Sequence, residues 1–424
     1  MSDIELLAGG VFLAVYALIV TEKIHRTLAA LVGALLMIAL GVLDQGEAFR
    51  NVDFNVIFLL AGMMIIANIT AKTGVFQWLA VEAVRRAGGR PYELLVLTSI
   101  ITAVVSAFID NVTTVVLTTP VTFFVAQRLR VSPVPFLISQ VIASNIGGAA
   151  TLIGDPPNII IGSKFGKDFN DFLLNVAPPT TVAFVLYLVF ARWLFRQDLQ
   201  AAQPLAPAEI DRFVEKEQHI TDPRLLRICF GVLAVTITGF LFSRQLRLEG
   251  ATIALAGAVT LMILTREDVH EVLKTIEWPT LFFFVGLFIV VGGVVKAGII
   301  ADLARRALEL TGGRTDVAAM VVLWMSGILS AIVDNIPYTI TMIPLVQDLG
   351  RTVKIEPLIW ALSLGANLGG NATIVGASAN VVVASMSESR GYPITFTQYL
   401  RYGVPATLLT LLVSTIYVWI RYLQ

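Results

Sequence analysis

"SAFIDNVTTVVLTTPVT" (Ser106–Thr122) and "SAIVDNIPYTITMIPLV" (Ser330–Val346) are two versions of one phrase. Each opens with Ser-Ala, sets Asp-Asn among apolar neighbours, and reaches a proline at the same distance beyond the Asp. Working outward, a shift of 224 residues lays Val52–Ala87 on Ile276–Leu310, with Lys72 on Lys296 and Gly74 on Gly298. A shift of 222 lays "SNIGGAATLIGDPPNII" (Ser144–Ile160) on "ANLGGNATIVGASANVV" (Ala366–Val382). Apolar helices resemble one another by composition alone, but chance does not keep Asp-Asn, Gly-Gly and a final Asn in register. The chain is an internal repeat.

Its composition places both copies in a membrane. Of 424 residues, 56% are hydrophobic and 14% charged. A soluble domain carries about a quarter charged residues. Formal net charge is zero, so nothing favours nucleic acid. The first apolar run, Ile4–Val20, lacks a basic leader and a cleavage site, and reads as a retained span. Cys229 is the one cysteine, which excludes disulfides and thiolate clusters. His25, His219 and His270 are scattered over loops and helix ends and read as solvated or interfacial. No phosphate-binding loop, H-E-x-x-H or nucleophile elbow occurs, so the chain is expected not to be an enzyme.

The expected fold is an all-α integral membrane protein. It has two inverted repeats, about ten transmembrane helices, two re-entrant hairpins and two broken helices. Repeat 1 covers 1–196, with a hairpin at about 92–127 and a broken span at about 135–161. A polar linker covers 197–222. Repeat 2 covers 223–424, with a hairpin at about 316–349 and a broken span at about 357–386. In repeat 1 the full spans lie near 4–21, 27–43, 55–72 and 176–196. The stretch 75–87 is amphipathic at helical spacing, with Glu82, Arg85 and Arg86 opposite Phe76, Leu79 and Val84, and suits the interface. Five spans per copy is odd, so the second copy enters upside down. Inverted repeats with broken helices are the build of secondary transporters. With the linker inside, Lys and Arg are in excess on the inner side, as the positive-inside rule requires.

Polar insertions at repeat-related positions are the candidate site. Irregular backbone at membrane depth survives only where protein or a wet cavity satisfies it. An intramembrane carboxylate is a functional candidate by default. Asp110 and Asp334 are therefore the candidates for proton or cation coupling. Asn111, Asn335, Asn145, Asn367, Asn158, Asn380, Thr151 and Thr373 are candidates for solute contact, with Gly148 and Gly370 admitting close backbone approach. Plainer roles compete. Asp or Asn caps a following helix. Thr113, Thr114, Thr339 and Thr341 bond back to their own helix. Lys72 and Lys296 snorkel. Asp155 has no counterpart, since Ala377 stands at its repeat position; this marks either a role specific to one half or a turn before proline.

These hairpin phrases, with "ASNIGGAATLIGDPPNIIIG" (Ala143–Gly162) and "GANLGGNATIVGASANVV" (Gly365–Val382), resemble the ion transporter superfamily. The resemblance is narrower to the branch of ArsB-type arsenite exporters and P-protein permeases, and spans nearly the whole chain. It implies the same fold, a homodimer, an inner or plasma membrane location, and in some relatives a separate soluble ATPase. Dicarboxylate carriers of the superfamily typically have Ser-Asn-Thr at each tip; Asp110-Asn111-Val112 and Asp334-Asn335-Ile336 stand here, and the added negative charge disfavours a dianion. The D-N tips also resemble NhaD-type sodium/proton antiporters. Arsenite is a neutral triol, and with only Cys229 available its site must be lined by oxygen and nitrogen. The expected function is proton-coupled export of arsenite or antimonite by alternating access. Sodium/proton antiport is the alternative, followed by a carboxylate or anion transporter or a channel. Protons or sodium would be the coupling ion, with no organic cofactor; no ligand set for a metal is legible.

Overall fold

The computed structural model describes residues 3–21, 23–129, 131–200 and 220–424. Among these the regular structure is helical throughout. Most of the polar linker, including His219, lies outside the described residues.

Repeat 1 begins with α1 (Asp3–Thr21), α2 (Arg26–Ala39), α3 (Gln45–Asn51), α4 (Phe54–Ala71) and α5 (Val75–Ala87). The hairpin is α6 (Pro91–Ser106) and α7 (Asn111–Leu129), with Asp110 in the turn. The broken span is α8 (Val134–Ala149) and α9 (Pro156–Phe165), followed by α10 (Phe169–Asn175), α11 (Ala177–Leu194) and α12 (Arg196–Gln200). Repeat 2 runs α13 (Pro223–Leu241), α14 (Ser243–Leu246), α15 (Gly250–Thr265), α16 (Val269–Lys274), α17 (Trp278–Lys296) and α18 (Ile299–Thr311). Its hairpin is α19 (Thr315–Ile332) and α20 (Asn335–Leu349). Its broken span is α21 (Ile355–Gly369), a 3₁₀ turn at Ile374–Gly376 and α22 (Ser378–Ser389), and α23 (Phe396–Tyr422) closes the chain.

Seven described helices are long and apolar enough to cross a bilayer: α1, α4, α11, α13, α17, α19 and α23. Four more, α2, α6, α8 and α15, are apolar but shorter. The hairpins are unequal. α6 has 16 residues, whereas α19 has 18 and is long enough to span, unlike the short arms expected from sequence. Pro120 and Pro344 sit inside α7 and α20, each withholding a backbone N–H from its helix.

The repeats interlock rather than sit side by side. α4 packs on α15, and α17 packs on α2, so each half lends a central helix to the other. Both crossings rest on a glycine. A Cβ on Gly62 would stand 2.7 Å from the Ala254 carbonyl carbon, and one on Gly286 would stand 2.6 Å from that of Ala30. Small residues let such helices approach to backbone contact. The reciprocity relates the halves as a pseudo-two-fold pair. Lys72 and Lys296 carry it to the rim. Lys72 Nζ pairs with Glu267 at 2.6 Å, and Lys296 Nζ with Glu47 at 2.5 Å, each crossing to the other repeat.

α1, α11 and α13 turn mostly outward. At the centre, every residue of α8 is buried, as is Pro357–Gly369 of α21. One element departs from the amphipathic reading. Glu82 of α5 is buried, because its Oε1 accepts from Arg85 and Arg86, both at 2.7 Å, and their guanidinium ends stay exposed. Those bonds, Arg85's first, hold its carboxyl below the usual range.

Candidate functional site

The helix breaks create the site because they leave carbonyls without intrahelical partners. Two asparagines satisfy them in the same way. Asn158 Nδ2 donates to Ala149 O and Thr151 O, each at 2.9 Å. Asn380 Nδ2 donates to Gly370 O and Thr373 O, each at 2.8 Å. Threonine then ties each break to its hairpin. The Thr151 and Thr373 hydroxyls donate to Ala107 O and Ala331 O. Glycine lets the two strands of each break meet. A Cβ on Gly148 would stand 2.5 Å from Gly154 O, and one on Gly370 2.8 Å from Gly376 O. Thr151, Thr373, Gly148 and Gly370 thus assemble the break, with both hydroxyls spent on backbone.

Onto this frame the two hairpin tips converge, and they meet on Asp155. Its backbone is extended (φ −144°, ψ 133°), as expected before Pro156. Ala377 has nearly the same conformation (φ −148°, ψ 143°), so the two halves differ here in side chain alone. Asp155 is fully buried. Its Oδ2 accepts from Asn111 Nδ2 at 3.0 Å and its Oδ1 from Asn335 Nδ2 at 3.3 Å. One carboxylate therefore receives an amide from each tip.

Asn145 extends the network across the repeat boundary. It accepts from Asn111 Nδ2 at 3.0 Å and donates to Asn371 Oδ1 at 3.0 Å and Asn380 Oδ1 at 2.9 Å. Asn367 Nδ2 donates to Asn158 Oδ1 at 2.7 Å. Three amide atoms of this network are buried without a hydrogen-bond partner: Asn111 Oδ1, Asn367 Oδ1 and Asn371 Nδ2. Buried polar groups are normally satisfied, so these three call for an explanation.

The two tip carboxylates behave differently. Asp110 is buried and caps α7, its Oδ1 accepting from Thr113 N at 2.9 Å. Asp334 caps α20 through Ile336 N at 3.0 Å, but its Oδ2 also meets Arg26 at 3.3 Å and accepts from the Ser378 hydroxyl. This pair borders a cavity of about 300 Å³ lined by Ile19, Ile24, His25, Arg26, Asp334, Ser378 and Val382. A repeat-related cavity of about 650 Å³ lies among Asp53, Lys164, Lys167, Arg244 and Glu249, and Asp110 is not part of its lining. Of the plainer threonine roles, Thr339 and Thr341 do bond back to their own helix.

Sequence reading named ten of the amides, threonines and glycines at this centre but missed three residues. Asn371 stands where repeat 1 has Ala149, Arg26 where repeat 2 has Gly250, and Ser378 where repeat 1 has Pro156. Asp155, left open, belongs with them. The legible signal was departure from the repeat. No cluster of three or more His, Cys, Asp or Glu that could hold a metal ion occurs among the described residues.

The citrate transporter family model matches residues 16–365, most of the chain. The chain belongs to the citrate transporter family. Among similar proteins, an uncharacterized transporter of Mycobacterium tuberculosis is 40% identical over 99% of both chains, and a 46 kDa membrane protein of Mycobacterium leprae is 40% identical with the same coverage. The human P protein is 33% identical over 98% of this chain, which spans 60% of that protein. The crystal structure of the Alcanivorax borkumensis YdaH transporter, described as having an unusual topology, covers 99% of this chain at a TM-score of 0.64 and 15% identity. This citrate-transporter family member is thus a multi-pass membrane transporter, and the P-protein resemblance read from its hairpins is supported.

Proposed function

We propose that the protein is a proton-coupled antiporter that exports a small neutral hydroxylated solute, of which arsenite and antimonite are the inorganic examples. The supporting observation is the pair of orphaned atoms on either side of Asn145: Asn111 Oδ1, an acceptor, and Asn371 Nδ2, a donor. A hydroxyl gives and takes a hydrogen bond and satisfies both. A bare cation would satisfy only the first, and a dianion only the second. Asp110, Asp155 and Asp334 outnumber Arg26, which further disfavours a dianion despite the family's name. Asp155 supplies a coupling group alongside Asp110, because protonation would turn one of its two acceptor oxygens into a donor and untie one hairpin tip.

Sodium/proton antiport is the second reading. It is favoured by an unpartnered amide oxygen, Asn111 Oδ1, on a side chain that itself bonds the Asp155 carboxylate, both oxygens being hard ligands. Sealed proteoliposomes with an imposed pH gradient separate the two. Arsenite-dependent proton flux with sodium silent is the expected result. Sodium-dependent flux without arsenite transport would replace it, and a response to citrate alone would overturn both.

A further inference from the structure

Asp110 and Asp334 are equivalent by repeat, but their surroundings are not. Asp334 has a fixed cation. Arg26 Nη1 lies 3.3 Å from Asp334 Oδ2 and donates to Ser378 Oγ, which itself donates to the same carboxylate oxygen. The guanidinium is steadied from behind by the Phe283 ring, 5.3 Å away. Arg26 and Ser378 both depart from the repeat, whose other half has Gly250 and Pro156. Among the described residues Asp110 has no such cation; its cap is made by the backbone N–H groups of Val112 and Thr113 and the Thr113 hydroxyl.

We infer that Arg26 is a resident cation for the second hairpin tip. It occupies the charge partner's place at Asp334, so one proton-exchanging half is silenced and coupling is left to Asp110 and Asp155. This rests on the proton-coupled reading above. The pair stands at the edge of the 300 Å³ cavity, where Arg26 is 31% and Asp334 10% exposed by side chain, so removing the guanidinium would open Asp334 to ions from that side. The other charged or titratable groups around it are Tyr16 from α1, His25 at the start of α2, Glu277 at the start of α17 and Asp155 from the first break.

The test compares Arg26→Gln, Arg26→Lys and the double variant Arg26→Gln/Asp334→Asn in the full chain. In detergent, the melting temperature is followed against pH. Arg26→Gln should gain a proton-linked transition that Arg26→Lys and the double variant lack, since stability depends on pH wherever folded and unfolded states bind different numbers of protons. In proteoliposomes, protons moved per arsenite should rise by about half in Arg26→Gln, as a third carboxylate joins Asp110 and Asp155, and stay at the wild-type value in the double variant. An Arg26→Gln protein with unchanged pH dependence overturns the inference. So does a double variant that moves fewer protons per arsenite than wild type, an outcome readable even where Arg26→Gln fails to fold. Should the wild type move no protons with arsenite, the proposed function falls, while the melting comparison still decides the role of Arg26.

Discussion

At the residue scale, substitutions of Asp155 and Asp110 test the proposed coupling apart from folding. Asparagine caps a helix about as well as aspartate, so Asp110→Asn should keep the bond to Thr113 N and change stability by less than about 0.5 kcal/mol. It should lower the number of protons moved per solute, read as solute exchange that responds less steeply to a pH gradient. Asp155→Asn is harsher. Its amide would face the Asn111 or Asn335 amide, two donors head to head. Transport should fall by tenfold or more, which is about 1.4 kcal/mol of lost interaction, and uptake assays on folded protein check it. Thr151 and Thr373 offer a contrast. Their hydroxyls are spent on Ala107 O and Ala331 O, so valine at either position should cost about 1 kcal/mol of stability without changing which solute is moved.

The hairpin-to-break contact is decided by backbone proximity at the element scale. A Cβ on Gly147 would stand 2.2 Å from Ala103 O, and one on Gly369 2.4 Å from Gly327 O. Neither neighbour is a side chain that can swing away. Alanine at either position should therefore destabilise by about 1–3 kcal/mol, as overpacking does. Gly10→Ala is the control, since its Cβ would meet nothing within 4 Å. Thermal melting in detergent distinguishes them. Much of this element pattern was legible beforehand, because Gly-Gly and the pegging asparagines recur in register. The burial of Glu82 was not: helical spacing assigns a face, but the reach of Arg85 and Arg86 decides whether that face can be covered.

The question at the scale of the whole molecule is what holds two interlocked halves together. The rim pairs Lys72–Glu267 and Lys296–Glu47 are the visible links, yet all four side chains are partly exposed. Surface ion pairs contribute about 0–1 kcal/mol, so Lys72→Ala should barely move the melting temperature. The Lys296 bond holds the Glu47 carboxyl below its usual range. Whatever that pair contributes is present above the ordinary Glu pKa of about 4.3 and is lost as pH falls through the lowered folded value. Wild type and Glu47→Gln should accordingly converge in acid. The crossings at Gly62 and Gly286 carry more. A leucine at either would drive α4 from α15 or α17 from α2, and should abolish folded protein on size-exclusion chromatography.

The sequence by itself determined the repeat, the helices, the two breaks and the amides that would line them, because each of these is local or is copied at a fixed offset. Tertiary structure alone decided which polar groups meet. Asp155 comes to both tips, Asn371 to Asn145, and Arg26 to Asp334, across separations of up to 308 residues. No spacing rule reaches that far. The residues that break the symmetry of the repeat, Asp155, Asn371, Arg26 and Ser378, are ones the folded chain brings to the helix breaks and hairpin tips, since two identical halves can supply a frame but not unequal charges.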